Sequence, residues 1–543
     1  MTTATRTHHA VPAPGAADRA VLRLMVRLVR RGVLLLALGL ALFALVEAVS
    51  YAATYPDAAS RARLGEFQDS PAVRMMQGFP HAVDTVGGFV AWDGGWMMQS
   101  IAAIWALLAT GRLLRGEEES ERAEFVLTGP VSAGRVLLLQ FLVIGGGLLL
   151  VGAAVAATLS AADASPGGSV VFGLGVAGFA GTFAGTPAVL AQLFTMRRRV
   201  TALTAVALGV LYVLRMIANS DDALAWLRWA TPYGWMDALH AYRDPNWIAL
   251  ALLLLVPAAL AVTASRLRHA RDTGGALLTE KDSRPPRDRL LGGPTAFAWR
   301  TTRGMLLGWA VGICAYALVT GLLVDAVVRF VADDPTYRAT LEAIGWDAEK
   351  VVLSFVGMMG TMLGLFTALY ACWRVGAARA EESAARLDAV LTRPVTRGHW
   401  LGGHLALTAA GAVLIAFASG LAMWAGIALT DGGVSLADVL SATLNPLPAI
   451  AFFLGFALLV YGLAPRLAVA LPAATAFTAY LLEMIGPGLD WPGWILSLSP
   501  FHHLNPVPAE PFTPLAATVL TALALALAAL GLLAFHHRDL TGD

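Results

Sequence analysis

Lysine is almost missing from this chain, and cysteine with it. Only Lys281 and Lys350 occur, each preceded by glutamate. A P-loop needs G-x-x-x-x-G-K-[S/T], because backbone amides and a lysine together cradle the phosphates. No nucleotide site of that kind is encoded. The two cysteines, Cys314 and Cys372, both lie in apolar runs. That excludes a disulfide framework and a cysteine-based metal site, and leaves packing as their role. The paired histidines, His8-His9, His502-His503 and His536-His537, lack the further ligands a tetrahedral metal site requires. No metal or cofactor is expected on this chain.

Charge is scarce as well. Asp, Glu, Lys and Arg make up 14% of 543 residues against 57% hydrophobic, with a net charge of +1 and a mean hydropathy of +0.66. Such a composition excludes an ordinary soluble globular protein, and no nucleic-acid partner is expected. The opening residues also lack the short apolar core and cleavage site of a signal peptide.

What is abundant is long apolar sequence. Runs such as "VLLLALGLALFALVEAV" from Val33 suit a helix crossing a hydrocarbon layer about 30 Å thick. Twelve spans are expected near 33–53, 90–111, 136–158, 169–194, 200–218, 247–265, 304–326, 351–373, 400–429, 439–464, 467–486 and 513–535. With both termini placed in the cytoplasm, 29 of the 38 lysines and arginines fall in cytoplasmic segments, as the positive-inside rule requires. The expected fold is an all-α integral membrane protein of the cell membrane. Its parts are a tail with an amphipathic interfacial helix (1–32), a six-span half (33–265), a basic Pro/Gly-bearing linker with a second interfacial segment (266–303), a second six-span half (304–535) and a tail (536–543).

The halves repeat one another. "RAEFVLTGPVSAG" from Arg122 returns as "RLDAVLTRPVTRG" from Arg386, with seven of thirteen positions identical. "RGVLL" at Arg31 answers "RGMLL" at Arg303, and "RDTG" at Arg271 answers "RDLTG" at Arg538. An internal duplication explains this. Six spans per half is an even number, so the halves are expected as parallel repeats with a pathway between them. Both copies of the phrase then lie on the cytoplasmic face, between the second and third spans of each half.

Each phrase predicts a short acidic helix. Glu117, Glu121 and Glu124 are spaced i, i+4, i+7 on one helix face, with Glu118 alongside. Pro130 interrupts, and Ser132 is placed to cap the next span. The second copy keeps Glu381, Glu382, Arg386, Asp388, Pro394 and a capping Thr396. Charges inside the spans are few, and each costs about 2.5–3.5 kcal/mol at mid-bilayer. Arg215 and Glu483 occupy equivalent positions near the outer ends of the fifth and eleventh spans, and Glu47 lies in the outer part of the first. They are candidate pathway or gate residues, with Arg215 and Glu483 as a cross-axis pair. The alternative is that each reaches water separately.

The pattern E-E-…-R-x-[E/D]-…-L-x-x-P-V-[S/T] between spans two and three resembles the coupling-helix loop of type-2 ABC exporter membrane subunits. It is most similar to the actinobacterial antibiotic-exporter group, including tetronasin-type polyketide exporters, in which two six-span halves are fused. The resemblance covers essentially the whole chain. It implies that the loop docks into a groove on an ATPase subunit and passes motion to the spans. Carried over, Glu117, Glu118, Arg122 and Glu124 serve the first half, and Glu381, Glu382, Arg386 and Asp388 the second. Ser383 and Ala385 replace Glu119 and Glu121, a departure that puts equal docking of the two copies in doubt. The resemblance further implies two copies of a separate P-loop ATPase that hold ATP and Mg, and export of a hydrophobic or amphipathic small molecule. Two other readings stay open: an ion-coupled secondary transporter and a non-transporting membrane scaffold.

Overall fold

A computed structural model describes residues 16–65, 71–272, 274–278, 293–333, 348–383, 386–392, 394–430, 432–486 and 491–539. His8-His9, most of the linker with Lys281, Ala385, and the last four residues fall outside them. Among the described residues all regular structure is helical. The chain divides into two units, Met1–Ser283 and Arg284–Asp543, each with its own apolar core.

In the first unit α1 spans Ala16–Thr54, α2 Gly95–Gly111, α3 Arg122–Leu127, α4 Ala133–Ala161, α5 Pro166–Leu193, α6 Arg197–Ser220 and α7 Trp247–His269. The connections follow local chemistry. Ser132 accepts a hydrogen bond from the Arg135 amide at the start of α4. Asp163 takes φ +64° between α4 and α5, and Ser165 with Pro166 opens α5 at once. Asn246 caps α7 through the Ile248 and Ala249 amides.

The second unit repeats the order: α8 Pro294–Asp333, α9 Ala348–Ser383, α10 Arg386–Leu391, α11 Arg397–Leu429, α12 Leu436–Leu444, α13 Leu447–Leu463, α14 Ala470–Ile485 and α15 Pro514–His537. Thr396 caps α11 by accepting from the His399 amide, as Ser132 does in the first half.

Eleven helical segments among the described residues are long and apolar enough to cross a membrane. The remaining expected span, 467–486, contains α14, whose 16 residues reach only about 24 Å at 1.5 Å per residue. Another difference concerns the amphipathic segment. Residues from Ala16 run without a break into the first span as one 39-residue helix. A continuous helix cannot lie flat on a surface and then cross the layer beneath it. Asp18 at its first turn pairs with Arg135 of α4 at 3.0 Å, which fixes this end against the third span.

Inside each unit the helices meet through glycine. Gly152 of α4 and Gly173 of α5 cross so closely that a Cβ on either would stand 2.3 Å from the other's carbonyl oxygen. Gly531 of α15 sits against the Leu458 and Leu459 backbone of α13 in the same way. Small residues at helix crossings let backbones approach where water supplies no driving force.

Candidate functional site

Consecutive spans of the first half reverse direction. The start of α1, the α2–α4 connection, the α5–α6 turn and the end of α7 therefore collect at one end of the unit. The repeated phrase sits among them. A π turn at Arg112–Gly116 continues α2 into Glu117–Glu119, and then the chain breaks at Glu121, which takes φ +58°. The single helix face expected for Glu117, Glu121 and Glu124 is therefore not formed. Glu117 lies before the break and Glu124 on α3 after it. The physical reason is Glu118, whose side chain is drawn inward.

Glu118 accepts from Arg271 at 2.7 and 3.1 Å and from Arg115 at 2.7 Å. Both guanidinium side chains are almost wholly buried, and Glu118 is 12% exposed. Arg271 also donates to the Gln192 side-chain oxygen of α5 at 2.7 Å, and Arg115 to the carbonyls of Ala191 and Gly275. Glu119 accepts from the Arg197 amide at the start of α6. Charged groups held in this way are partners of the bundle. Glu121, Arg122, Glu124, Phe125 and Pro130 are exposed, while Val126 packs against the core and Val131 is buried. Arg122 also pairs with Glu117 at 3.3 Å. Phe125 is 79% exposed, an unusual position for a phenyl ring beside so many charges.

The second half keeps the division. Glu382 accepts from Arg538 through both oxygens at 2.8 Å and from the Tyr461 hydroxyl at 2.7 Å. Glu381 is buried against the Trp400 indole N–H at 3.4 Å and His404 at 3.6 Å, both on α11. Arg386, Asp388 and Pro394 are exposed, while Leu387 packs inward.

At the opposite end of the first half, Arg215 is fully buried. Its guanidinium forks onto Asp237 at 2.7 and 2.8 Å and donates to the Met76 carbonyl at 2.6 Å. Asn219 adds a bond to the same carboxylate at 3.0 Å. Glu483 instead meets His502 at 3.1 Å, with both side chains about one-third exposed. Each therefore has a charged or titratable partner within its own half. Glu47 lies near Asp93, just ahead of α2; the Asp93 carboxylate accepts from the Gln77 side-chain amide at 2.8 Å.

A family model described as "Multidrug efflux system permease Rv1217c, C-terminal domain" matches residues 19–266 and 291–536, one stretch in each half. The chain belongs to this permease family. It is 32% identical over 539 residues to the "Multidrug efflux system permease protein Rv1217c" of Mycobacterium tuberculosis (strain ATCC 25618 / H37Rv), covering 98% of this chain and 97% of that relative. It is thus a double-length ABC exporter permease, a multi-pass membrane protein of the export class.

Reading the permease by sequence missed several partners. Asp237 escaped because it sits in an aromatic stretch that looks like an interfacial belt. Part of that stretch does face outward: Trp226, Trp229 and Trp247 are exposed, as is Trp494 in the corresponding segment of the second half. Tyr233 and Trp235, and Phe501 in the second half, are core residues instead, with Tyr233 bonded to Ser100 at 2.8 Å. Arg271 and Arg538 were legible as repeated closing residues, and their recurrence at the end of each half was the available signal.

Proposed function

We propose that this permease is the membrane-spanning part of an ATP-driven exporter, carrying a hydrophobic or amphipathic, antibiotic-like compound out of the cell. Two copies of a separate P-loop ATPase bind ATP and Mg and dock beneath the two phrases. The phrase end faces the cytoplasm, with both termini on that side. One observation carries the reading. A small exposed set, Glu121, Arg122, Glu124 and Phe125, stands at the start of and along α3, next to a segment anchored in the bundle. An exposed phenyl ring ringed by charge suits the groove of a partner protein, where an aromatic anchor supplies binding energy.

The test uses the chain's own chemistry. Cys372 is buried and Cys314 half-buried, so Phe125→Cys introduces one well-exposed thiol. Maleimide labelling of that thiol is expected to fall at least fivefold when the partner ATPase is added. Undiminished labelling, or transport that persists when the ATPase's Walker lysine is replaced, overturns the proposal.

A second reading, ion-coupled transport, has one observation in its favour. Glu47 and Asp93 bring two carboxyl groups close together, an arrangement suited to sharing a proton. Uptake of dye that follows an imposed pH gradient without ATP would favour it.

A further inference from the structure

In both halves, the second glutamate of the phrase's acidic pair is joined to the arginine that follows the last span. Glu118 meets Arg271, two residues beyond the end of α7, and Glu382 meets Arg538, the residue after α15. The surroundings differ. Arg115 and Gln192 complete the first cluster, and Tyr461 completes the second. The glutamate–arginine contact is what the two share. Two copies that have diverged around a contact while keeping it point to the contact itself as the feature retained.

The apolar anchoring of the two short helices differs: α3 has no fully buried residue and packs Val126 against the core, whereas α10 inserts Leu387 into it. In the first half Glu118, three residues before the left-handed break at Glu121, adds a charged tie to the bundle. In the second half Arg397, at the start of α11, donates to the backbone carbonyls of His536 and Arg538, adding a second tie to the same place. Charge-assisted contacts with several bonds to one carboxylate resist rotation and shear better than a single bond does.

We propose that Glu118–Arg271 and Glu382–Arg538 are positioning pairs that carry displacement of each phrase to the last span of its half. A push on α3 or α10 then moves α7 or α15 directly, in addition to the two spans that flank the phrase in sequence. This rests on the ATP-driven reading above.

Two measurements test it. In proteoliposomes holding the permease with its ATPase, Glu118→Gln combined with Glu382→Gln is expected to lower rhodamine 6G transported per ATP hydrolysed about tenfold, while the ATPase still co-purifies and hydrolyses. With Glu118 left intact, Glu382→Arg alone is expected to lower the ratio, and adding Arg538→Glu to restore most of it. An unchanged ratio in the double variant overturns the proposal, as does a loss fully explained by failure to bind the ATPase. The second measurement needs neither partner nor substrate. Spin labels at Phe125→Cys and Val262→Cys, both exposed positions, report the separation of α3 and α7. A narrow distance distribution is expected, broadening with Glu118→Gln; a distribution that Glu118→Gln leaves unchanged overturns the positioning role. If the wild-type complex does not transport on ATP, the reading of the preceding section fails, and the distance measurement still decides the contact.

Discussion

Arginine 215 shows how a membrane protein keeps a full charge out of water. Removing one partner from a buried ion pair costs about 3–5 kcal/mol, because the other is left uncompensated. The fork onto Asp237, the Met76 carbonyl and Asn219 on the same carboxylate supply the compensation here. In the connecting segments nearby, His81 and His240 stack with ring centroids 3.9 Å apart and planes 5° from parallel. Burial pushes both imidazoles below their usual range; their mutual repulsion and Arg243 lower His81 further, while Asp84, Asp237 and Asp244 oppose the shift. Asp84 itself is held low by its bond to Arg243 and stays ionised well below neutrality. The sign follows. Unfolded histidine takes up protons near pH 6.5, and the folded pair refuses them until lower pH. Stability from this pair is complete above about pH 6.5 and is lost as pH falls toward the depressed folded values. Thermal midpoints of the purified permease are expected to drop between pH 7.5 and 5.5, and less so with His81→Gln and His240→Gln. Equal acid sensitivity in wild type and variant would remove the pair from the explanation.

Helices were readable from hydropathy because a span must satisfy all its backbone groups internally, and about twenty apolar residues announce it. Their ends and breaks were less readable. The basic segment from Arg19 has the right spacing for a surface helix, yet nothing in it stops the helix before Thr54. The break at Glu121 runs against the i, i+4, i+7 spacing, because a tertiary contact three residues earlier redirects the chain. Such contacts join residues more than 150 positions apart, which local periodicity does not report. Capping was readable, as Ser132 and Thr396 show, since a cap is decided within three residues. Helix crossings lie between these cases: the glycines are visible in sequence, but which of them meet a neighbour is not. Along α4, Gly146 has nothing within 4 Å of a built Cβ, whereas Gly152 would strike the Gly173 backbone. Gly152→Leu is expected to cost roughly 1–3 kcal/mol or more, since backbone cannot yield as a side chain does. Gly146→Leu should leave the thermal midpoint of the detergent-solubilised protein within a degree or two. Similar losses at both sites would show that the crossing is not what holds these two helices together.

At the scale of the molecule, duplication decides the organisation, and it was legible because the phrase recurs with its charges in order. A solvated loop has no reason to repeat Arg, an acid two residues on, and Val-Leu-Thr-x-Pro-Val. The structure adds that each copy completes its own polar clusters: Glu118 finds Arg271 within the first unit, and Glu382 finds Arg538 within the second. The apolar cores divide likewise, with no residue common to both. A unit with its own apolar core and its own glutamate–arginine cluster has the attributes of an independent folding domain. Severing the chain between Ser283 and Arg284, and expressing the two pieces from separate genes, is therefore expected to give membrane-inserted halves. Each should resist trypsin about as well as the intact permease, and together they should regain a large share of export activity in cells. The first piece alone should retain the buried environment of its tryptophans, read by emission maximum. Rapid degradation of 1–283 in the absence of its partner piece would mean that the halves fold only together, and that the duplication records ancestry without preserving autonomy.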